Sequence, residues 1–281
     1  MNKITRKEAA ALLRERDNIL LLTHIRPDGD TLGSAWGLKC ALEGMGKTVF
    51  VVNDDLIPRR LQFVINGAES LSYELLPEGF VPGLIVSLDV AELHLMGDFC
   101  RSLAEQIELK IDHHAMGAPF GQYNLIDGSA AACAEIVLDI VEELDALNES
   151  AAAALYIGIA SDTGCFRFSN VTADTHRRAA ALIARGVDFP AIHSRLFESK
   201  SRTEIKAIQI SYQALKFYRG GSVASIMFTS AMKEENGLAG EELGDISSLP
   251  REIEGVELSV VIKQSEKHPE RFKISIPLKK V

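Results

Sequence analysis

A chain of 281 residues with 47% hydrophobic and 25% charged side chains has the balance of a folded, water-compatible polypeptide, and its length favours two domains over one. Its formal net charge of −9 argues against broad adhesion to long nucleic acid or to an anionic membrane. Capture of a small anion stays open, provided metal ions or a few placed cations supply a local positive field.

The N-terminal stretch "MNKITRKEAAALLRERDNILLLTH" begins as a mixed-charge amphipathic helix without a signal-peptide core. No apolar run reaches the roughly 20 residues of a bilayer span. Cys40, Cys100, Cys133 and Cys165 are widely separated with no C-x-x-C pair, which fits four reduced thiols and a cytoplasmic setting.

Short apolar, β-branched runs then alternate with helical stretches, predicting an α/β fold with a mainly parallel sheet flanked by helices and a second, smaller α/β domain. The expected strands are "NILLLTH" (18–24), "KTVFVVN" (47–53), "GLIVSLDV" (83–90) and "IELKIDHH" (107–114). Helices are expected at 31–44, closed by the glycines of "EGMG", and at 129–144, 149–160 and 173–185. Asp127 or Ser129 is the expected N-cap of the second. Residues 189–218 read as helical, and "GGSVASIMFT", "VELSVVIKQ" and "RFKISIPL" as strands. Between the first two of these strands, 231–255 is acidic and glycine-spotted, expected as a helix with loops.

Three apolar runs end in acid or imidazole: one before His24, one before Asp89 and one before Asp112. In open α/β sheets the carboxyl ends of parallel strands converge on a ligand site. "THIRPDGD" offers His24, Asp28 and Asp30 from one turn shaped by Pro27 and Gly29, though Asp28 and Asp30 read equally well as turn and N-cap residues. "LYIGIASDTG" delivers Asp162 from the end of a helix. Asp89 and Asp162 taken singly are ordinary turn or cap residues, whereas the run Asp112, His113, His114 at a buried strand tip has no routine structural use. Together the set holds five acids and three histidines, an oxygen-rich mixture suited to hard or borderline divalent ions, manganese first. Enough ligands exist for two ions sharing carboxylates, the arrangement that activates water for displacement at phosphorus.

"THIRPDGD", "SLDVAE", "KIDHH" and "SDTGCFRFSN", in this order, resemble the DHH phosphoesterases, and their nanoRNase/pAp phosphatase branch in particular. "FGQYNLIDGSAAACAEIV" and "TADTHRRAAALIARGVD" extend the likeness over most of residues 1–200. The resemblance implies that His24, Asp28 and Asp89 hold one manganese ion. It implies that Asp30, Asp89, His113 and Asp162 hold the second, with Asp89 bridging. Asp112 would orient a ligand from behind, and His114 would face the substrate phosphate as donor or acid. The implied domains are a metal-binding catalytic domain at 1–187, a helical connector at 188–219 and a substrate-binding domain at 220–281. The family pattern usually carries an arginine near the place of Leu95, and the stretch after its Asp-His-His motif differs from "AMGA" here. The sequence ends at Val281, about where the strand before the family's glycine-rich substrate loop would finish, so the expectation is either a truncated sequence or a shortened last domain.

The implied activity is manganese-dependent hydrolysis of short oligoribonucleotides or 3′-phosphoadenosine 5′-phosphate, with no long nucleic acid, no membrane and a homodimer through the first domain. The alternatives are a manganese pyrophosphatase, a dinucleotide phosphodiesterase and a non-catalytic nucleotide-binding protein; a single-strand DNA exonuclease is disfavoured by the acidic charge. Arg167 is the candidate substrate contact, with a surface role equally open. Phe166 and Phe168 read as core or as base-stacking residues. His94, His176, His193 and His268 read as surface or capping residues, and Arg177 and Arg178 as a solvated helical face.

Overall fold

The structure is a computed structural model that describes residues 2–65, 71–239, 243, 246–265 and 268–276. It divides into two compact units, Met1–Glu198 and Ser199–Val281, with the junction inside the stretch expected as a connector.

The first unit is built on six parallel strands: β1 (Asn2–Lys3), β2 (Ile19–Leu22), β3 (Val49–Val52), β4 (Leu84–Leu88), β5 (Leu109–Asp112) and β6 (Tyr123–Ile126), in the order β1-β6-β5-β4-β2-β3. Alternate residues of the strands face opposite layers. Ile19 and Leu21 join Leu84, Val86, Leu109 and Ile111 in the larger core. On that face lie α1 (Arg6–Glu15), α2 (Gly29–Gly44), α4 (Cys133–Glu143) and α5 (Glu149–Asp162). Leu20, Leu22 and Ile85 face a smaller cluster with Met96, Cys100 and Ile107, around the short α3 (Asp98–Ser102). The unit closes with α6 (Ala173–Ala184) and α7 (Phe189–His193).

Helices α2 and α5 run antiparallel and nearly touch backbone to backbone. A Cβ on Gly33 would lie 2.5 Å from the Ala154 carbonyl oxygen and 2.7 Å from the Gly158 nitrogen. One turn earlier, a Cβ on Gly29 would strike the Ser161 side chain. This seam of small residues sets the first turn of α2, with Asp28 and Asp30, against the last turn of α5, with Asp162.

Two sequence expectations are corrected here. The helix expected from 129 starts at Cys133, and neither Asp127 nor Ser129 caps it. Asp127 instead accepts hydrogen bonds from the Ser129 amide and hydroxyl and pairs with Arg6 at 2.6 Å, which folds 127–130 into a turn. Although burial acts to raise it, these contacts hold the Asp127 carboxyl down at about 2. Second, Tyr123–Ile126, given no element from sequence, is β6, which joins β5 to β1.

The second unit has a four-stranded mixed sheet in the order β10-β9-β8-β7: β7 (Lys216–Tyr218), β8 (Val223–Phe228), β9 (Leu258–Gln264) and β10 (Phe272–Ser275). β8 and β9 are parallel and the outer pairings are antiparallel. Ala224, Ile226, Phe228 and Val261 are buried on one face, where Ala207 and Ile210 of α8 (Arg202–Gln213) pack with Leu238, Ile246 and Leu249. The run 189–218, read as helical, is interrupted before α8, where Ser201 and Glu204 form a reciprocal cap. It ends in strand β7 rather than helix because "KFY" pairs with β8. The expected helix within 231–255 is α9 (Ser230–Glu235), and residues 277 and 278 of the last expected strand lie outside the described residues.

Gly33→Ala tests the seam. Helix propensity alone would make it stabilising by about 1 kcal/mol. The added methyl meets backbone atoms that cannot rotate away, and overpacking of this kind costs about 1–3 kcal/mol. A lowered urea midpoint is therefore expected, and an unchanged or raised one would refute the close approach.

Candidate functional site

The tips of β2, β4 and β5, neighbours in the sheet, carry His24, Asp89 and the run Asp112, His113, His114. Asp89 follows the middle of these strands, so residues from both sides reach it. Its backbone has φ +57°, a left-handed bend that aspartate tolerates better than most non-glycine residues. The bend is held by the Asp89 amide donating to the Ile111 carbonyl at 3.0 Å.

Three overlapping groups form there, each with its ligand atoms within 4.8 Å of one another: His24, Asp28 and Asp89; Asp30, His113 and Asp162; and Asp89, His113 and His114. The structure thus brings together all six residues expected as metal ligands, with His114 at the edge. His113 Nε2 lies 3.4 Å from Asp162 Oδ2, 3.6 Å from Asp89 Oδ1 and 3.9 Å from Asp30 Oδ2. His24 Nε2 lies 3.7 Å from Asp89 Oδ2.

Backbone amides hold the acids in place. Asp28 is the N-cap of α2, accepting from the amides of Asp30 and Thr31, both at 3.0 Å. Asp28 is thus the N-cap that one reading expects, and it also lies in the group with His24 and Asp89. Asp30 is fully buried and accepts from the first amides of α4, Cys133 at 2.6 Å and Ala134 at 2.9 Å. The positive end of that helix thus faces a carboxylate supplied from a distance of a hundred residues in the chain. Asp89 Oδ2 accepts from the Thr31 hydroxyl at 2.6 Å.

The chemistry of the donor set fits a divalent cation. Asp89 Oδ1 is buried and takes no hydrogen bond among the described residues. His24 spends its Nδ1 on the Ile25 carbonyl at 2.7 Å and His113 its Nδ1 on the Ala130 carbonyl at 3.4 Å. With Nδ1 committed in this way, each ring turns Nε2 toward the carboxylates, so that imidazole nitrogen and carboxylate oxygens would meet a cation held between them. Burial, followed by the charges of Asp89, Asp162 and Asp28, pushes the Asp30 carboxyl well above its ordinary range. Burial, then Asp28 and Asp89, pushes Asp162 up to about 6. Burial would lower His24, yet Asp89, the Ile25 carbonyl and Asp28 together raise it to about 9.

The family model described as the DHH family, N-terminal domain, matches residues 18–159, the span that contains the strand tips. The chain belongs to the DHH family. It is 35% identical over 262 residues to the bifunctional oligoribonuclease and PAP phosphatase NrnA of Thermus thermophilus, covering 92% of this chain and 75% of that one. The protein of the same name from Bacillus subtilis is 26% identical over 272 residues, covering 93% and 83%. Among solved structures, an exopolyphosphatase-related protein from Bacteroides fragilis shares the fold, with a TM-score of 0.88, 20% identity and coverage of 98% and 83%.

The remaining expectations for this DHH protein sort by contact. Asp112 is buried and orients His114, accepting from its Nδ1 at 2.7 Å and its amide at 3.2 Å. It therefore orients the ring expected at the substrate rather than any of the six residues expected as metal ligands. Arg167 is exposed and its Nε donates to the Gly164 carbonyl at 2.7 Å, tying that nitrogen to its own turn. Phe166 packs with Tyr156, His176 and His193, which favours the core reading for it.

His193, read as surface or capping, instead sits among aromatic rings with Tyr156 Oη at 3.0 Å. Arg178, read as solvated, pairs with Asp139 at 2.8 Å. Sequence reading missed Thr31, whose hydroxyl touches both His24 and Asp89, and Asn170, whose amide donates to the Asp162 carbonyl at 3.2 Å. No sequence signal marks Thr31 beyond its place one residue after Asp30 in the first turn of α2. Asn170 does close the quoted motif "SDTGCFRFSN".

Asp89→Asn separates charge from shape, because asparagine accepts the left-handed backbone equally well. Removing one of several crowded carboxylates is expected to raise the melting temperature of the metal-free protein by about 2–4 °C, the shift that about 1 kcal/mol gives in a unit of this size. Saturating manganese is expected to stabilise the wild type by about 2.7 kcal/mol at a hundred times its dissociation constant, and the variant far less. Calorimetry with and without the ion reads both, and equal ion-dependent shifts would refute the role of Asp89.

Proposed function

We propose that this chain hydrolyses short oligoribonucleotides and 3′-phosphoadenosine 5′-phosphate in the cytoplasm, using a pair of manganese ions. The chain is a phosphoester hydrolase by family. The finer reading rests on one observation: His24, Asp28, Asp30, His113 and Asp162 close around Asp89 at the sheet's carboxyl edge. It is supported by the names of the relatives that match over nine-tenths of its length.

In this reading His24, Asp28 and Asp89 hold one ion, and Asp30, Asp89, His113 and Asp162 the other. The pair supplies Lewis acidity toward phosphoryl oxygens and makes water a usable nucleophile near neutral pH. The chain's own groups do the rest. Asp112 fixes the His114 ring through Nδ1 and leaves Nε2 available to donate to a substrate phosphate oxygen, where negative charge builds during displacement. The carbonyls of Ile25 and Ala130 fix the rings of His24 and His113. The amides opening α2 and α4 keep Asp28 and Asp30 aimed inward. Free, unpaired thiols at all four cysteines agree with a reducing compartment.

The test is turnover by the purified protein in manganese, with a diribonucleotide, 3′-phosphoadenosine 5′-phosphate and pyrophosphate as parallel substrates. Mononucleotide release and phosphate release from the first two are expected, with pyrophosphate much slower. Asp89→Asn is expected to lower kcat/KM by more than about a hundredfold. Preferential pyrophosphate turnover, or nucleotide binding without turnover, would replace the reading.

A further inference from the structure

We infer that Lys110 is a positioning residue for His114, acting through Asp112 from inside the sheet. The inference rests on the phosphoester-hydrolase reading above and adds a residue to it.

Lys110 interrupts an otherwise apolar strand, "LKI", and its side chain is entirely buried, as is that of Asp112. Its Nζ lies 2.8 Å from the Ala118 carbonyl, 3.0 Å from the Ala91 carbonyl and 3.1 Å from Asp112 Oδ2. Two carbonyls accept hydrogen bonds from this nitrogen, and the Asp112 carboxylate stands beside it as an ion-pair partner inside the core. The ring of Phe120 lies 4.4 Å from the same nitrogen and adds the attraction of its π face. A lysine on a core strand would be better replaced by an apolar residue were it only filling space, since a buried charge is retained at a cost.

The three oxygens belong to the three segments that shape the substrate side of the site. Ala91 follows Asp89 by two residues, on the loop that leaves the left-handed bend. Ala118 lies on the loop that leaves His114, and its amide donates to the Ala91 carbonyl at 3.1 Å. Between them Gly117 presses directly on the pair: a Cβ there would lie 2.8 Å from Asp112 Oδ2 and 3.1 Å from the Ala91 oxygen. Asp112 thus gives Oδ2 to Lys110 and Oδ1 to His114 Nδ1. The ammonium fixes one edge of the carboxylate, and the other edge fixes the imidazole. Released from Lys110, Asp112 is free to tilt, and His114 loses the bond that sets its presented nitrogen.

A double-mutant cycle on the full chain tests this, with Lys110→Met, His114→Ala and the pair assayed on a diribonucleotide in saturating manganese. Lys110→Met is expected to lower kcat by about 10–100-fold, the scale of a small misplacement of a reacting group, with KM nearly unchanged. In the His114→Ala background the same change is expected to cost less than about twofold, because the residue through which it acts is gone. A loss that multiplies in full, or no loss from Lys110→Met alone, overturns the proposal.

Should the variant fail to fold, proton–nitrogen correlation spectra of the metal-free wild type decide. Slowly exchanging His114 Nδ1 and Lys110 ammonium protons, assigned through their side-chain carbons, are expected, and their absence overturns the arrangement. A wild type that turns over no phosphoester refutes the proposed function, while the spectra still report on Lys110 separately.

Discussion

The close packing of α2 on α5 is the constraint on which the site depends. Only hydrogen atoms at Gly29 and Gly33 let the two helices approach until backbone meets backbone. The antiparallel run then places the opening turn of one beside the closing turn of the other. Asp28 and Asp30 come from the first, Asp162 from the second, and no loop intervenes to blur their spacing. Side chains on rigid elements hold geometry more tightly than side chains on loops.

That rigidity holds like charges together, which by itself is unfavourable. The carboxylates of Asp28, Asp30, Asp89 and Asp162 crowd one point, and burial first, then this mutual repulsion, raises the protonation of Asp30 and Asp162. The fold offsets it with dipoles rather than with arginine or lysine: the amides of α2 receive Asp28, those of α4 receive Asp30 and the Thr31 hydroxyl receives Asp89. Neutral donors of this kind partly stabilise each anion yet leave the net negative charge in place for a cation. Lys110, the buried cation nearby, is committed to Asp112 and two carbonyls instead. A protein of net charge −9 can thereby prepare to receive phosphate, with the attraction supplied at one point by what the acids hold.

Much of this was legible in the sequence because strands buried on both faces show as apolar runs, and their ends show as abrupt polar residues. Ile19–Leu22, Leu84–Leu88 and Leu109–Ile111 announce themselves that way, and their polar tips are residues that the structure gathers at the sheet edge. What escaped depends on partners remote in sequence. β6 is the short, mixed segment Tyr123–Ile126, which earns strand geometry only from pairing with β5 and β1. The start of α4 was misplaced because its anion comes from Asp30 and not from a local cap. His193 looked solvated because the rings around it arrive from α5, the 164–168 turn and α7. The spacing of four between Gly29, Gly33 and Gly37 was present as a signal for the helix seam, and its meaning lies in Ser161, Ala154 and Leu155 across from it.

Strand order explains why Asp89, among several acids, occupies the shared position. β4 lies between β2 and β5, so its tip alone is flanked on one side by His24 and on the other by His113 and His114. An extended backbone there would carry the chain onward past the sheet edge. The left-handed bend at Asp89 turns it instead, so that the two carboxylate oxygens divide, Oδ2 toward His24 and Thr31 and Oδ1 toward His113 and His114. The division of its two oxygens between neighbouring strands is thus a consequence of sheet topology plus one unusual dihedral, and the strain of that dihedral is borne by the bonds that surround it, the Ile111 carbonyl on one side and the Lys110 clamp on Ala91 on the other.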